Sequence, residues 1–269
     1  MSGKVYLVGA GPGATDLLTL RAASLLGRAQ VVFYDALVAP QTLALAAHAT
    51  KIAVGKRSGR YSTAQKFINK RLVDAARQHA VVVRLKGGDP MLFGRAQEEI
   101  DALTAAGIDF EVVPGITAAC AASAELGVSL TRRGIARTVS FVTPRAANGE
   151  PENDWATSVI AADTAVIYMG AGLAETLCAT LAARGRAGGT PVAVVENATL
   201  PAKRMVLGKL GDLPRIAREL GPGPAVIILG EVLRQALETQ VSMTVAPDNR
   251  VAARSPALND PCRGFPAAG

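Results

Sequence analysis

The sequence predicts an α/β protein made of two α/β domains, because short β-rich runs alternate with amphipathic helical stretches along most of the chain. Between the strand candidates, apolar residues recur at helical spacing, as they do at Leu18, Ala22, Leu25 and Ala29. Strands and helices that alternate in this way indicate a parallel sheet with right-handed crossovers. The strand candidates of the first half are Val5–Val8, Val31–Tyr34, Lys51–Val54, Val81–Leu85 and Phe110–Val113.

A second set of strand candidates begins near residue 138, and the chain offers a break near Gly134. We therefore predict an N-terminal domain over residues 1–134 and a C-terminal domain over residues 135–241. From residue 242 the apolar periodicity stops and prolines accumulate, so we expect residues 242–269 to be disordered. The second set of strand candidates consists of Thr138–Val142, Ala165–Met169, Val192–Glu196, Arg204–Leu207 and Ala225–Leu229.

Length and composition exclude several classes of protein. The 269 residues are 49% hydrophobic, which is enough for a substantial core. The apolar runs are much shorter than a membrane span, and Val5–Val8 begins too close to the N-terminus to leave room for a signal peptide. Cys120, Cys178 and Cys262 are too scattered for a disulfide framework or a metal pattern. We expect a cytoplasmic protein without a membrane role.

Charge and histidine content narrow the function further. The only histidines, His48 and His79, have no Cys or carboxylate at ligand spacing, so we expect no metal site and no His-based triad. The net charge of +7 indicates an anionic partner, either nucleic acid or a polycarboxylate. With 4% aromatic residues and no dense basic runs, the chain offers few platforms for stacking nucleic-acid bases. We therefore predict no nucleic-acid partner.

A glycine-rich loop follows the first strand candidate. Gly9, Gly11 and Ala14 satisfy the G-x-G-x-x-G/A pattern of dinucleotide-binding domains, and Asp35 ends the second strand near the position of a ribose-binding acid. An NAD-dependent dehydrogenase is therefore one hypothesis. Pro12 argues against it, because proline lacks the N–H group that a pyrophosphate would need there. The loop suits a ligand without a diphosphate.

The segment Arg84–Arg95, RLKGGDPMLFGR, is the most informative stretch. The apolar run Ala80–Val83 leads into a turn that holds two adjacent glycines, Asp89 and a proline. Such a turn places bare backbone and a carboxylate at the carboxyl edge of a sheet, where open α/β sheets bind ligands. Considered alone, the pattern is equally compatible with a tight surface turn.

Together, the motifs resemble the tetrapyrrole C-methyltransferases that use S-adenosylmethionine, and most closely the members that act on uroporphyrinogen III. The resemblance covers about residues 3–235, with the motifs in the family's order and spacing. It implies two α/β domains with the cofactor in the cleft between them, and a homodimer. The matching segments are VGAGPG (8–13), YDALV (34–38), GKRSG (55–59), RLKGGDPMLFGR (84–95), VPGITA (113–118), IYMG (167–170), PVAVVEN (191–197) and VIILGE (226–231).

The resemblance implies a role for specific residues. Asp35 matches the family's proton acceptor and Lys56 its proton donor, while Arg95 and Glu98 are further candidates for catalysis. Arginines in loop-like segments would bind the carboxylates of the tetrapyrrole; they are Arg57, Arg95, Arg132 and Arg133. The residues implied for the cofactor, whose product is S-adenosylhomocysteine, are Pro12, Gly87, Gly88, Asp89, Leu92, Thr117, Ala118, Met169 and Ala198.

The activity implied by the resemblance is double C-methylation of uroporphyrinogen III, at C-2 and C-7, to give precorrin-2 for siroheme or cobalamin-type pathways.

The sequence departs from the family's motifs at two positions. Arg132 occupies the position of a common histidine, and Ala198 that of a common glycine. We expect a monofunctional chain, since no dehydrogenase–chelatase module precedes the matching motifs. A later precorrin, an rRNA methyltransferase of the same fold, the dehydrogenase and a non-catalytic binding module are the alternatives.

Overall fold

A computed structural model describes residues 3–55, 65–146 and 154–245, the last five as backbone only. Within these ranges the chain forms two five-stranded sheets and the helices that cover them. The strands are β1 (Lys4–Gly9), β2 (Val31–Tyr34), β3 (Thr50–Ala53), β4 (Val81–Lys86), β5 (Phe110–Val113), β6 (Val139–Val142), β7 (Thr164–Tyr168), β8 (Pro191–Glu196), β9 (Arg204–Lys209) and β10 (Ala225–Gly230). The helices are α1 (Leu20–Arg28), α2 (Pro40–Ala44), α3 (Gln65–Ala76), α4 (Ala96–Ala105), α5 (Ala118–Leu126), α6 (Trp155–Ala161), α7 (Ala174–Ala183), α8 (Leu213–Arg218) and α9 (Arg234–Val245).

The first sheet has the order β3-β2-β4-β1-β5 and is parallel throughout, as predicted. Its central strands β1, β2 and β4 are largely buried on both faces, which explains their largely apolar sequences, whereas the edge strand β3 is mostly exposed. In β1, Val5 and Leu7 pack toward α3 and α4, whereas Val8 packs toward α1. Helix α1 begins at Thr19, whose hydroxyl accepts a hydrogen bond from the Ala22 N–H at 3.1 Å.

The second sheet has the order β6-β7-β10-β8-β9 and is mixed, with only β6 and β7 parallel. Leu177 and Leu213, from α7 and α8, pack on one face. Helix α5 covers the other face, where Ala119 and Ala122 contact the layer that contains Ile228. Every predicted strand is therefore confirmed, within two residues at each end.

Helix α5 precedes residue 134 in the chain but packs on the second sheet. The chain thus crosses between the two layers in the loop after β5, ahead of the boundary that we place near Gly134. That domain boundary stays a prediction.

At the C-terminal end of the described chain, α9 continues to Val245, so residues 242–245 are helical rather than disordered. Residues 246–269 lie outside the described ranges. No helix of the described ranges is long and apolar enough to cross a membrane.

Three glycines allow the loops after β1, β4 and β5 to meet through backbone alone. A Cβ atom on Gly9 would lie 2.6 Å from Gly115 Cα, and one on Gly115 would lie 2.3 Å from the Gly88 carbonyl oxygen. Gly88 has a φ of +68° and pairs with Gly11 in an isolated bridge, with the Gly88 N–H donating to the Gly11 carbonyl at 2.8 Å. A side chain at Gly9 or Gly115 would separate the three loops, and one at Gly88 would strain its left-handed backbone.

We predict that Gly115→Ala lowers the free energy of unfolding by about 1–3 kcal/mol, because the new methyl group overlaps the Gly88 carbonyl. The matched control is Gly27→Ala in α1, where nothing lies within 4 Å of a Cβ atom and alanine is the better helix former. Urea unfolding followed by circular dichroism measures both. Equal midpoints for Gly115→Ala and the parent would contradict the close contact.

Candidate active site

Loops from the two sheets face each other and are joined by named contacts. The Ala14 N–H, after β1, donates to the Thr199 hydroxyl, after β8, at 3.0 Å. The Thr117 hydroxyl, just before α5, lies 2.6 Å from the Tyr168 hydroxyl at the end of β7. These contacts define a cleft between the carboxyl edge of the first sheet and the loops of the second.

The cleft contains the loops predicted to hold the cofactor. Gly88 pairs with Gly11 in a backbone bridge, and a Cβ atom on Gly88 would lie 3.9 Å from Thr117 Cα. Met169 follows Tyr168 directly and is 45% exposed. The structure therefore brings together the five loops that carry the predicted cofactor positions. These positions are Pro12, Gly87, Gly88, Asp89, Leu92, Thr117, Ala118, Met169 and Ala198. Ala198 is buried against the α5 layer.

Asp89 already has two backbone partners. Its Oδ1 accepts the Met91 N–H at 2.8 Å, and its Oδ2 accepts the Gly115 N–H at 2.9 Å. The carboxylate thus fixes its own turn and ties the loop after β4 to the loop after β5. Each carboxylate oxygen has a second acceptor site, so Asp89 can still accept a hydrogen bond from a ligand.

Asp35 plays a similar part at the end of β2. Its Oδ1 accepts the Leu37 N–H at 3.0 Å, and its Oδ2 accepts the Gly87 N–H at 3.1 Å. Gly55 permits this arrangement, since a Cβ atom there would lie 2.8 Å from Asp35 Cα. The predicted proton acceptor therefore also positions the glycine loop. Lys56 and Arg57 lie outside the described residues.

Arg95 and Glu98 form a two-point ion pair at the start of α4. Arg95 Nε lies 2.6 Å from Glu98 Oε1, and Arg95 donates a second hydrogen bond to Oε2 at 2.8 Å. Both side chains are about half exposed. The hydrogen bonds from Arg95 lower the pKa of Glu98, so this carboxylate is ionised at neutral pH. The Arg95 guanidinium and the Glu98 carboxylate thus place a positive and a negative charge side by side at the start of α4.

Arg132 is placed away from these loops. Its guanidinium donates to Gln235 of α9 at 3.2 Å, and it lines a groove of about 940 Å³ near Leu126, at the opposite end of α5 from Thr117. Arg133 is exposed in the same turn. The single chain thus does not bring these two predicted substrate-binding arginines together with Arg95.

Backbone strain is concentrated around the cleft. Among the described residues, those other than glycine with positive φ are Phe93, Arg95, Met169, Asn197 and Thr199, with φ between +52° and +68°. They belong to the loops after β4, β7 and β8. Such conformations cost of the order of 1–3 kcal/mol each and persist where function or packing requires them. Strain at these loops is typical of a binding site.

A buried ion cluster beneath the glycine loop was missed in the sequence. Glu99 is fully buried and contacts Arg84 Nε and Lys86 Nζ, each at 2.9 Å. Burial, followed by the nearby Arg84 guanidinium, lowers the pKa of Lys86, while Glu99 and Asp35 act in the opposite direction. Glu99 therefore joins α4 to the end of β4, directly before Gly87. The signal available in the sequence was the pair of cations in an otherwise apolar strand.

Residues 4–214 match the family of tetrapyrrole (corrin/porphyrin) methylases. The chain belongs to this family. Structures of uroporphyrin-III C-methyltransferase from Thermus thermophilus superpose on the tetrapyrrole methylase fold described here with a TM-score of 0.76. One of them, complexed with S-adenyl homocysteine, is 42% identical and covers 87% of this chain and 100% of that chain.

Other tetrapyrrole methylases are also similar to this chain. A cobalt precorrin-4 methyltransferase structure has a TM-score of 0.74, with 29% identity over 86% of this chain and 95% of that one. The siroheme synthase of Azotobacter vinelandii is 47% identical over 234 residues, which are 86% of this chain and 50% of that protein. The chain thus spans about half the length of the siroheme synthases it matches.

We predict that Glu99→Gln lowers the free energy of unfolding by about 3–5 kcal/mol, because it leaves two buried cations without a carboxylate. The control is Glu111→Gln, which removes an exposed ion pair with Lys4 and should change stability little. Urea unfolding of both variants checks this. Equally small decreases in the free energy of unfolding of both variants would show that the buried cluster does not stabilise the fold.

Proposed function

We propose that this tetrapyrrole methylase transfers methyl groups from S-adenosylmethionine to C-2 and C-7 of uroporphyrinogen III, giving precorrin-2. The proposal depends above all on the convergence of five loops in one cleft, where glycine backbone, the Asp89 carboxylate and the exposed Met169 side chain meet. Membership of the family supports the tetrapyrrole, and the complex of the Thermus thermophilus relative with S-adenyl homocysteine supports the cofactor.

The cleft suits S-adenosylmethionine rather than a dinucleotide. The loop after β1 has Pro12 where a pyrophosphate would require an N–H donor, and Gly11 is already paired with Gly88. Gly87 and Gly88 permit main chain to approach the methionine and adenosine parts of a ligand. The soft, exposed Met169 side chain can pack against them.

Methyl transfer needs alignment more than acid–base chemistry. A pyrrole carbon attacks the methyl group, the new C–C bond forms, and the S–CH₃ electron pair stays on sulfur. The protein's part is to align the two carbons with the sulfur and to exclude water. The strained loops after β4 and β7 hold side chains in fixed positions for this alignment.

A proton then leaves the methylated macrocycle, and a nearby carboxylate assists. Asp35 and Glu98 are the candidate proton acceptors, and we propose Lys56 as the proton donor. Glu98 is ionised beside Arg95, and because this pairing lowers the pKa of Glu98, its carboxylate is a weaker proton acceptor than an unpaired one. Asp35 keeps free acceptor sites beside its two backbone partners.

The rim of the cleft suits a large, partly apolar polycarboxylate. Several exposed apolar side chains lie on its loops: Leu37, Met91, Phe93 and Met169. Exposed apolar groups of this kind mark binding surfaces. Arg95 borders them, and the net charge of +7 attracts an anionic substrate. We propose Arg57 as a further carboxylate ligand, a homodimer as the active form, and a cytoplasmic location. Arg132 and Arg133 lie at the other end of α5, so we do not assign them to this cleft.

The function is tested by incubating the chain with methyl-labelled S-adenosylmethionine and enzymatically made uroporphyrinogen III. We expect two labelled methyl groups per tetrapyrrole, with precorrin-2 identified by mass and absorption. Label in a later precorrin instead would place the chain near the precorrin-4 enzymes. Label in rRNA alone, or hydride transfer from a nicotinamide, would overturn the proposal.

We predict that Asp89→Asn weakens S-adenosylhomocysteine binding at least about tenfold, because an amide can replace only one of the two carboxylate acceptors and the cleft loops separate. Asp163→Asn is the matched control: Asp163 also accepts two backbone N–H groups, at the opposite end of β7. Calorimetric titration distinguishes the two. Equal affinities in both variants would remove Asp89 from the cofactor site.

We predict that Asp35→Asn and Lys56→Met each lower turnover at least about tenfold, in accord with proton-transfer roles. Steady-state methylation rates at saturating substrate measure this, with Lys66→Met on α3 as the control. Turnover equal to that of the parent in both variants would exclude the two residues from the mechanism.

A further inference from the structure

Three aromatic rings form a cluster that joins the two halves of the cleft. Phe93, in the loop after β4, has its ring centroid 5.1 Å from that of Tyr168 at the end of β7, with the ring planes at 53°. Phe141, in β6, lies 6.4 Å from Tyr168 in an edge-on arrangement. Phe93 therefore contacts a residue of the other sheet. We refer to these residues as the aromatic cluster.

Tyr168 is the fixed member of the aromatic cluster. Its hydroxyl lies 2.6 Å from the Thr117 hydroxyl and accepts the Ala119 N–H at 3.1 Å, so it is held at the start of α5. Burial raises the pKa of Tyr168, which keeps the ring neutral at neutral pH. The residue lies between Thr117 and Met169, two of the proposed cofactor positions.

Phe93 and Phe141 remain open to solvent. They are 39% and 40% exposed, although large aromatic side chains are usually buried. Phe93 has a φ of +52°, which is costly for a bulky residue. A strained, exposed phenylalanine packed across a cleft needs a reason beyond folding, since a glycine would relieve the strain.

The faces of such rings attract cations. During methyl transfer the positive charge of the sulfonium leaves sulfur, which becomes a neutral thioether. The charge appears on the methylated pyrrole ring until a proton is lost. The charged species is therefore on the substrate, which the proposed reaction would bring beside Thr117 and Met169, the cofactor positions that adjoin Tyr168.

We propose that the aromatic cluster stabilises this substrate cation, with the Phe93 and Phe141 rings in contact with the pyrrole that receives the methyl group. The inference rests on the proposed function and assigns the two phenylalanines as catalytic residues. The aromatic character of the rings is what matters, rather than their apolar volume.

The test is the single-turnover rate of methyl transfer in Phe93→Leu and Phe141→Leu, which keep an apolar side chain but remove the ring. We expect each rate to fall about three- to tenfold, while the S-adenosylhomocysteine Kd stays within about twofold of the parent. Phe93→Tyr should restore most of the rate. Phe67→Leu is the control, because Phe67 is 52% exposed on α3 and contacts Arg71 rather than the cleft.

Parent-like rates in both leucine variants would overturn the inference and leave the proposed function standing. A loss of S-adenosylhomocysteine binding that accounts for the whole rate change would also overturn it, by showing a packing role. A parent enzyme that methylates no tetrapyrrole would instead remove the proposed function and the inference together.

Discussion

The site depends on the contact of three backbone loops at the carboxyl edge of the first sheet. Gly9 and Gly115 approach each other and the Gly88 carbonyl more closely than a side chain would allow, and Asp89 bridges two of the loops through their N–H groups. This contact brings main chain from three strands into one surface. Everything else in the cleft is arranged around it: Asp35 supports it from the next strand, and the Glu99 cluster lies beneath it.

The second sheet contributes apolar side chains and strained loops to the cleft. Helix α5 starts at the glycine contact and runs onto the second sheet, so one element belongs to both halves of the site. Thr199 contacts the first half through one hydrogen bond. Tyr168 is hydrogen-bonded to Thr117 and Ala119, and its ring contacts Phe93. These contacts join loops of the two halves, and they place the glycine loops on one side of the cleft and the aromatic cluster on the other.

Much of this architecture could be predicted from the sequence. Short β-rich runs between helical patterns located the strands, and Pro12 distinguished the first glycine loop from a dinucleotide site. Other features depend on contacts between distant segments. Glu99 resembles an ordinary helix-start glutamate until α4 packs on β4, and the Phe93–Tyr168 contact joins residues 75 positions apart. The position of Arg132 beside α9, away from the cleft, likewise follows from how α5 crosses between the sheets.

The most direct test of the account is a structure of this chain with S-adenosylhomocysteine bound. We predict that the ligand lies in the cleft, with its polar groups against the main chain of Gly87–Asp89 and its thioether sulfur near Met169. Thr117 and Tyr168 should keep their hydrogen bond. A ligand bound elsewhere, such as in the groove beside Arg132, or a cleft whose glycine loops separate on binding, would contradict the account.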